Sequence, residues 1–160
     1  YGLSRSRALE AIDVYRDYYD SLDQAGTTVY PGVRDGLAEL NAAGYRLFLA
    51  TVKPTPIAES VLGDLGLREH FSGVAGASMG PERRKKERII AWALDTFGLE
   101  ATESLMVGDR DQDIAGARAN GLASVAVSWG FGSDGELEKA APDYQASRFS
   151  ELVALLTERR

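Results

Sequence analysis

The amino-acid sequence predicts an α/β fold, with a parallel sheet covered by helices on both faces. Short apolar segments alternate along the chain with longer segments whose apolar residues recur at helical spacing. The predicted strands are apolar almost throughout, which is typical of strands that are buried on both sides. The chain has 160 residues, of which 44% are hydrophobic, so it can bury a core of ordinary size.

The N-terminal segment is predicted to be a small helical unit separate from the main domain. Apolar and aromatic residues recur at helical spacing over Tyr1–Gln24. The turn signal at Tyr30–Gly32 then opens a second helix, which Gly44 ends. We therefore expect a boundary between residues 1–28 and residues 29–160.

From Arg46 onward, predicted strands and helices alternate. The predicted strands are Arg46–Ala50, Gly73–Ala77, Ser104–Val107, Ala123–Val127 and Asp143–Ala146. The predicted helices are Pro56–Leu65, Glu82–Phe97, Gln112–Asn120, Gly135–Ala140 and Ser150–Thr157. This alternation indicates a parallel sheet, in which ligands bind at the carboxyl ends of the strands.

A pair of carboxylates follows the strand Ser104–Val107. Asp109 lies at the end of the strand, and Asp113 lies in the first turn of the next helix. Two carboxylates that converge there offer the hard oxygen ligands that Mg²⁺ prefers. Alternatively, Asp113 only interacts with the positive helix N-terminus and Asp109 caps a turn. This stretch alone leaves both interpretations open.

The strand Arg46–Ala50 is followed by groups that suit an anion. Thr51 offers a hydroxyl, the backbone at Val52 and Lys53 offers N–H groups, and the Lys53 side chain adds a positive charge. A simple end of the strand explains the same residues.

A lysine at the start of the helix Glu82–Phe97 can reach a phosphate. Most of the charge in this run is typical of a solvated helix face. Lys86 is favoured over Lys85 because it lies three residues before Ile89 and shares its inward side. Together, a hydroxyl, a lysine and a carboxylate pair at separate strand ends would neutralise a transferring phosphoryl group with the help of a metal.

Composition excludes several other classes of function. The net charge of −6 argues against a broad nucleic-acid surface, and no apolar run is long enough to span a membrane. The chain contains no cysteine, and His70 is interpreted as structural. With no secretory signal at Tyr1, we expect a cytoplasmic protein with a small phosphorylated metabolite as its partner. The oligomeric state is not predicted.

With these residues in place, the chain resembles the haloacid dehalogenase-like phosphatases, specifically the phosphoglycolate phosphatase branch with a helical cap. The strand that ends at Thr51 is similar to the second family motif. Lys86, or alternatively Lys85, is similar to the lysine of the third motif. Gly108–Asp113 matches the fourth motif, G-D-x-x-x-D, in full, and the WGFG run at Trp129–Gly132 also resembles this branch.

The resemblance implies a HAD-type, Rossmann-like parallel sheet and Mg²⁺-dependent hydrolysis of a small phosphate ester. Thr51 and Lys86 would be catalytic. The residues implied to contact the phosphoryl group are Thr51, Val52, Lys53 and Lys86. Asp109 and Asp113 would hold Mg²⁺. A dehalogenase is a rival within the same fold, but its chemistry does not need Mg²⁺.

The chain departs from the family pattern at one motif. The first motif, D-x-D-G-T, which supplies the nucleophile and the general acid–base, is absent from these residues, and Asp64 and Asp95 lie on predicted helices. Residues 1–28 resemble the closing helices of the cap. We therefore expect the C-terminal part of a longer phosphatase, inactive as it stands. The alternative is a non-catalytic remnant that binds phosphate or a partner protein.

The absent motif would occupy a strand between the one ending at Thr51 and the one ending at Gly108. Without it, both neighbours carry unpaired backbone groups, and each costs about 1–3 kcal/mol when buried. We therefore expect the 160 residues to be poorly soluble, or to rearrange so that Arg46–Ala50 pairs directly with Ser104–Val107. Such pairing would bring Thr51 and Asp109 too close for a phosphate and Mg²⁺.

Overall fold

Strands and helices follow one another in the predicted order. The computed structural model describes residues 7, 14, 27–78 and 82–158. The strands are β1 (Phe48–Pro54), β2 (Gly73–Ala77), β3 (Leu105–Gly108), β4 (Ala123–Val127) and β5 (Tyr144–Ala146). The helices are α1 (Val33–Ala42), α2 (Thr55–Asp64), α3 (Lys86–Phe97), α4 (Asp111–Ala119), α5 (Asp134–Ala140) and α6 (Phe149–Thr157). Short 3₁₀ turns lie at Arg68–His70 and Ala101–Glu103.

The helix predicted at Tyr1–Gln24 falls almost wholly outside the described residues. Arg7 and Val14 are described, and both are helical. The boundary between residues 1–28 and 29–160 therefore stays a prediction. Among the helices of the described residues, none combines the length and the apolar character that crossing a membrane requires.

All strand pairs are parallel, and helices cover both faces of the sheets, so the predicted fold class is confirmed. β1 pairs with β2, and β3, β4 and β5 pair in that order. Helices α1, α2 and α6 pack on one face, and α3, α4 and α5 pack on the other. In β4, Val125 and Val127 face Leu152 of α6, whereas Ala126 faces Ile114 of α4. This double burial explains why the strands are apolar throughout.

The predicted extent of the first strand is wrong, because β1 begins at Phe48 and continues past Thr51 to Pro54. The register shifts on the way: Ala50 pairs with Ala75, but Pro54 pairs with Ala77, so the chain bulges between them. Gly76 makes this possible, since a Cβ there would lie 2.6 Å from Lys53 O. The bulge therefore depends on a glycine in another strand.

The predicted start of the long helix is also wrong, because α3 begins at Lys86 rather than Glu82. The Arg83 N–H donates to Ser78 Oγ at 3.1 Å, and Arg83 Nε donates to Gly76 O at 2.9 Å. The Arg83 guanidinium also lies 3.8 Å from the centroid of the Trp92 ring. Part of the charged run before Ile89 therefore forms a turn after β2 rather than the first turn of the helix.

The expected direct pairing of Arg46–Ala50 with Ser104–Val107 is wrong. Among the described residues, β1 and β3 belong to separate sheets. Residues 48–51 and 105–107 are only half-buried, whereas every residue of β2 is buried. Backbone groups along these open edges can be hydrated, so they escape the full cost of burial without partners. The other expectation, poor solubility, stays a prediction.

Helix packing on each face joins the two sheets. On one face α1 approaches α6, where a Cβ on Gly36 would lie 2.2 Å from Phe149 Cδ1. On the other face α3 approaches α4, where a Cβ on Gly116 would lie 3.0 Å from Ile90 Cδ1. The sheet β1–β2 and the sheet β3–β4–β5, the two halves of the fold, are thus held together by close contacts between helices.

We expect hydrogen exchange to reveal the open edges. Amides of β4 should exchange slowest, because β4 is paired on both sides. Amides of β1 and β3 that do not face a paired strand should exchange faster by at least about tenfold. Exchange measured by NMR tests this, with β4 as the internal control. Equal protection of β1, β3 and β4 would show that the edges are paired.

Asp143 fastens the start of β5 to β4. Its Oδ2 accepts the backbone N–H of Ser124 at 2.8 Å and the Ser124 hydroxyl at 2.9 Å. The hydroxyl bond, followed by the backbone bond, lowers the pKa of the Asp143 carboxyl below its ordinary value. Ser124 itself is buried, so its N–H and its hydroxyl both depend on this carboxylate.

We expect Asp143→Asn to lower the melting temperature at neutral pH, because it weakens two charge-assisted hydrogen bonds. The lowered pKa means that this stability is fully present above the pKa of the unfolded carboxyl and is lost as pH falls through the folded value. The difference between wild type and variant should therefore shrink below about pH 4. Thermal melts across the acidic range test this, and a constant difference would contradict it.

Candidate active site

Lys86, the first residue of α3, links the two halves of the fold. Its Nζ donates to Ala50 O in β1 at 2.8 Å and lies 2.8 Å from Asp113 Oδ1 in α4. The side chains of Lys86 and Asp113 are 10% and 5% exposed. Charges this deeply buried are stable only when they are paired and hydrogen-bonded. The ammonium therefore lies at the carboxyl edge of both sheets.

Lys86 rather than Lys85 reaches this position. Lys86 lies one helical turn before Ile89, which is fully buried in the core. Lys85 is exposed and stands at the N-cap position of the helix, where its side chain makes no capping hydrogen bond. The structure thus has Lys86 on the inward side, as its register predicts, while the functional choice between the two lysines stays a prediction.

Asp113 lies in the first turn of α4, and its two oxygens differ. Oδ2 accepts the backbone N–H of Arg110 at 3.2 Å, which caps the helix. Oδ1 is buried, and its partner among the described residues is the Lys86 ammonium, 2.8 Å away. Helix capping therefore explains one oxygen of Asp113, and the ion pair with Lys86 accounts for the other.

Asp109 follows β3 directly and is half-buried. Its Oδ2 accepts the backbone N–H of Phe131 at 2.7 Å. Sequence reasoning singled out the run Trp129–Gly132 but missed this contact. The signal was the pair of glycines around Phe131, which allows a backbone to approach a side chain closely.

Asp109 and Asp113 are oxygen ligands of the kind that Mg²⁺ prefers. They flank the turn between β3 and α4, and Asp113 Oδ1 pairs with the Lys86 ammonium. Within the ranges that the structure describes, no group of three acidic or histidine side chains could hold a metal. Mg²⁺ suits a pair of carboxylates because it retains several water ligands.

Thr51 lies at the bulge of β1, next to the Ala50 carbonyl that Lys86 contacts. Its Oγ1 accepts the backbone N–H of Lys53 at 3.2 Å. Val52 is 45% exposed and Lys53 is also exposed. Thr51 therefore follows the residue that Lys86 contacts, and Val52 and Lys53 form the exposed part of the same segment.

The loop after Asp109 is tied to α5. Arg110 Nε lies 2.7 Å from Glu136 Oε1, which also accepts the N–H of Asp111 at 3.1 Å. The bond from Arg110, and then that from Asp111, lowers the pKa of the Glu136 carboxyl. The same bond raises the pKa of the Arg110 guanidinium. The Arg110 guanidinium is therefore paired with the Glu136 carboxylate.

Comparison with known proteins identifies relatives along nearly the whole chain. Residues 3–127 match the family model described as haloacid dehalogenase-like hydrolase. A 5'-nucleotidase of Pseudomonas aeruginosa is 33% identical over 156 residues, which cover 98% of this chain and 71% of that protein. A phosphoglycolate phosphatase of Vibrio vulnificus is 30% identical over 151 residues, covering 94% of this chain and 66% of that protein.

Tyrosine-protein kinase PtkA of Mycobacterium tuberculosis is 38% identical over 140 residues, which cover 88% of this chain and 48% of that protein. Among solved structures, a predicted phosphatase from Clostridium acetobutylicum is 33% identical and superimposes with a TM-score of 0.90. That match covers 99% of this chain and 73% of the other. The chain thus spans between 48% and 71% of the length of these curated relatives. It belongs to the haloacid dehalogenase-like hydrolase family, in its phosphoglycolate phosphatase-like branch.

Proposed function

We propose that this chain carries the phosphate- and Mg²⁺-binding part of a cytoplasmic phosphatase that hydrolyses a phosphate monoester of a small metabolite. One observation carries the proposal: the buried Lys86 ammonium contacts both Ala50 O in β1, the residue before Thr51, and Oδ1 of Asp113. This contact joins a cation and a carboxylate next to the residue before Thr51, toward the edge of the sheets where ligands bind in α/β folds.

Each residue has a definite role in this proposal. An ammonium group has three N–H donors, and the contacts with Ala50 O and Asp113 Oδ1 use two of them. The third can bind a phosphoryl oxygen, and the Thr51 hydroxyl can donate to another. Asp109 and Asp113 would hold Mg²⁺, which when bound neutralises charge on the transferring group.

The nucleophile of the proposed reaction is a carboxylate on an extended segment between β1 and β3. Such a segment would pair with both open edges. Its carboxylate would attack the phosphorus and displace the alcohol of the ester, and water would then attack the phosphorus of this covalent intermediate and release inorganic phosphate. The motif D-x-D-G-T is absent from the 160 residues. Activity is therefore expected only when a segment that bears this motif is supplied.

Two alternatives are tested by the same assays. A non-catalytic protein that binds phosphate or a partner would keep the fold but never turn over. The 38% identity to tyrosine-protein kinase PtkA makes a tyrosine hydroxyl the second candidate acceptor for the phosphoryl group. Assays should therefore monitor both release of inorganic phosphate and phosphorylation of tyrosine.

We expect Asp109→Asn to reduce Mg²⁺-dependent phosphatase activity by at least about 100-fold, because asparagine keeps the shape but loses the charge that attracts a hard cation. Activity should be measured in the chain extended upstream by a segment with D-x-D-G-T, and melting temperature should be measured in parallel. The unextended chain should be inactive.

The matched control is Asp111→Asn, which changes an exposed carboxylate in the same turn. Its activity should stay within about twofold of wild type. Wild-type turnover in Asp109→Asn would refute the proposed metal ligand. Metal-dependent hydrolysis by the unextended chain would show that the nucleophile lies within these residues, and an extended chain that never turns over would support the non-catalytic alternative.

We expect Lys86→Ala to reduce the same activity by about 100-fold or more, and Lys85→Ala to change it little. Lys86→Ala should also lower the melting temperature, because removing one partner of a buried ion pair costs about 3–5 kcal/mol. Lys85 is exposed, so its loss should cost within about 0.5 kcal/mol. Kinetics measured well below the melting temperature separate the two effects. The reverse ranking would move the role to Lys85.

A further inference from the structure

The loop Trp129–Gly132 wraps around the side chain and backbone of Asp109. The Phe131 N–H donates to Asp109 Oδ2 at 2.7 Å. A Cβ on Gly130 would lie 2.2 Å from the same oxygen and 2.3 Å from Asp109 Cβ. A Cβ on Gly132 would lie 1.8 Å from the Asp109 carbonyl oxygen. Both glycines are therefore needed for this close approach.

The loop is anchored by Trp129 rather than by Phe131. Trp129 packs in the core cluster beside β4, with its ring centroid 5.9 Å from that of Phe149. The Phe131 side chain is 86% exposed, so burial of that side chain does not explain the position of the loop. Residues 130–132 contact Asp109 through their backbone, which provides one N–H donor and two positions without a Cβ.

We propose that Gly130–Gly132 is a positioning loop that sets the orientation of the Asp109 carboxylate and thereby the affinity of the site for Mg²⁺. This inference rests on the proposed role of Asp109 as a metal ligand. In this proposal the loop acts through Asp109.

The physical basis is preorganisation of a ligand. A hydrogen bond from a backbone N–H to a carboxylate is charge-assisted and directional. Holding Oδ2 restricts rotation of the carboxylate, and within the described residues no hydrogen bond reaches Oδ1. Oδ1 is therefore the oxygen left for a cation. Groups that orient a metal ligand from behind typically contribute 10- to 100-fold in metal affinity.

The test compares Gly130→Ala with Gly135→Ala. Both changes add one methyl group, but a Cβ at Gly135 meets nothing within 4 Å. We expect Gly130→Ala to raise the dissociation constant for Mg²⁺, measured by calorimetry with Mg²⁺ alone, by at least about tenfold. In the absence of metal, the Phe131 amide of the same variant should also exchange with solvent faster than the Phe131 amide of wild type. Gly135→Ala should keep both properties within about twofold of wild type.

A second pair of variants covers the case in which Gly130→Ala does not fold. Phe131→Pro removes the N–H donor and should weaken Mg²⁺ binding, whereas Phe131→Ala keeps the donor and should not. Folded Gly130→Ala, or folded Phe131→Pro, with wild-type affinity would overturn the positioning role while leaving the metal site intact. Wild-type protein that binds no Mg²⁺ would overturn the proposed metal site and this inference with it.

Discussion

The buried contact between the Lys86 ammonium and the Asp113 carboxylate connects the fold to its candidate site. No strand pairing joins β1 to β3 within the described residues, yet Lys86 touches a carbonyl of β1 and a carboxylate of α4. Removing both charges from water costs several kcal/mol per ion unless geometry compensates. The contacts at 2.8 Å supply that compensation. The interaction that spans the two halves is thus also the one that assembles the site.

This arrangement makes the geometry of the site depend on helix packing rather than on the sheet. Lys86 opens α3 and Asp113 opens α4, so the distance between them follows from how closely these helices approach. Gly116 allows that approach, since a Cβ there would lie 3.1 Å from Lys86 Cγ. A bulkier residue would separate the helices and stretch the ion pair. An extended segment between β1 and β3 would add backbone pairing to a spacing that the helices already impose.

The sequence predicted those elements whose bounds depend on residues that are neighbours in the chain. The strands Gly73–Ala77 and Ala123–Val127 were predicted with the observed bounds, because each is an apolar run between turn residues. The bulge after Ala50 was not, because it depends on a missing Cβ in β2. The hydrogen bond from Phe131 to Asp109 was not predicted either, because its two partners lie on different loops. The roles of the site residues stay predictions even where their positions agree.

The surroundings of the Asp113 carboxylate help to distinguish a catalytic site from a site that only binds a ligand. Asp113 Oδ1 is buried and pairs with the Lys86 ammonium, and removing such a pair of charges from water costs several kcal/mol per ion. A protein that only needed a capped helix could replace Asp113 by a smaller capping residue and avoid this cost. An anion-binding protein would also gain nothing from a second negative charge beside its lysine. A divalent cation would balance the charges of Asp109 and Asp113, so this pair of carboxylates favours the metal-dependent phosphatase over the non-catalytic alternative.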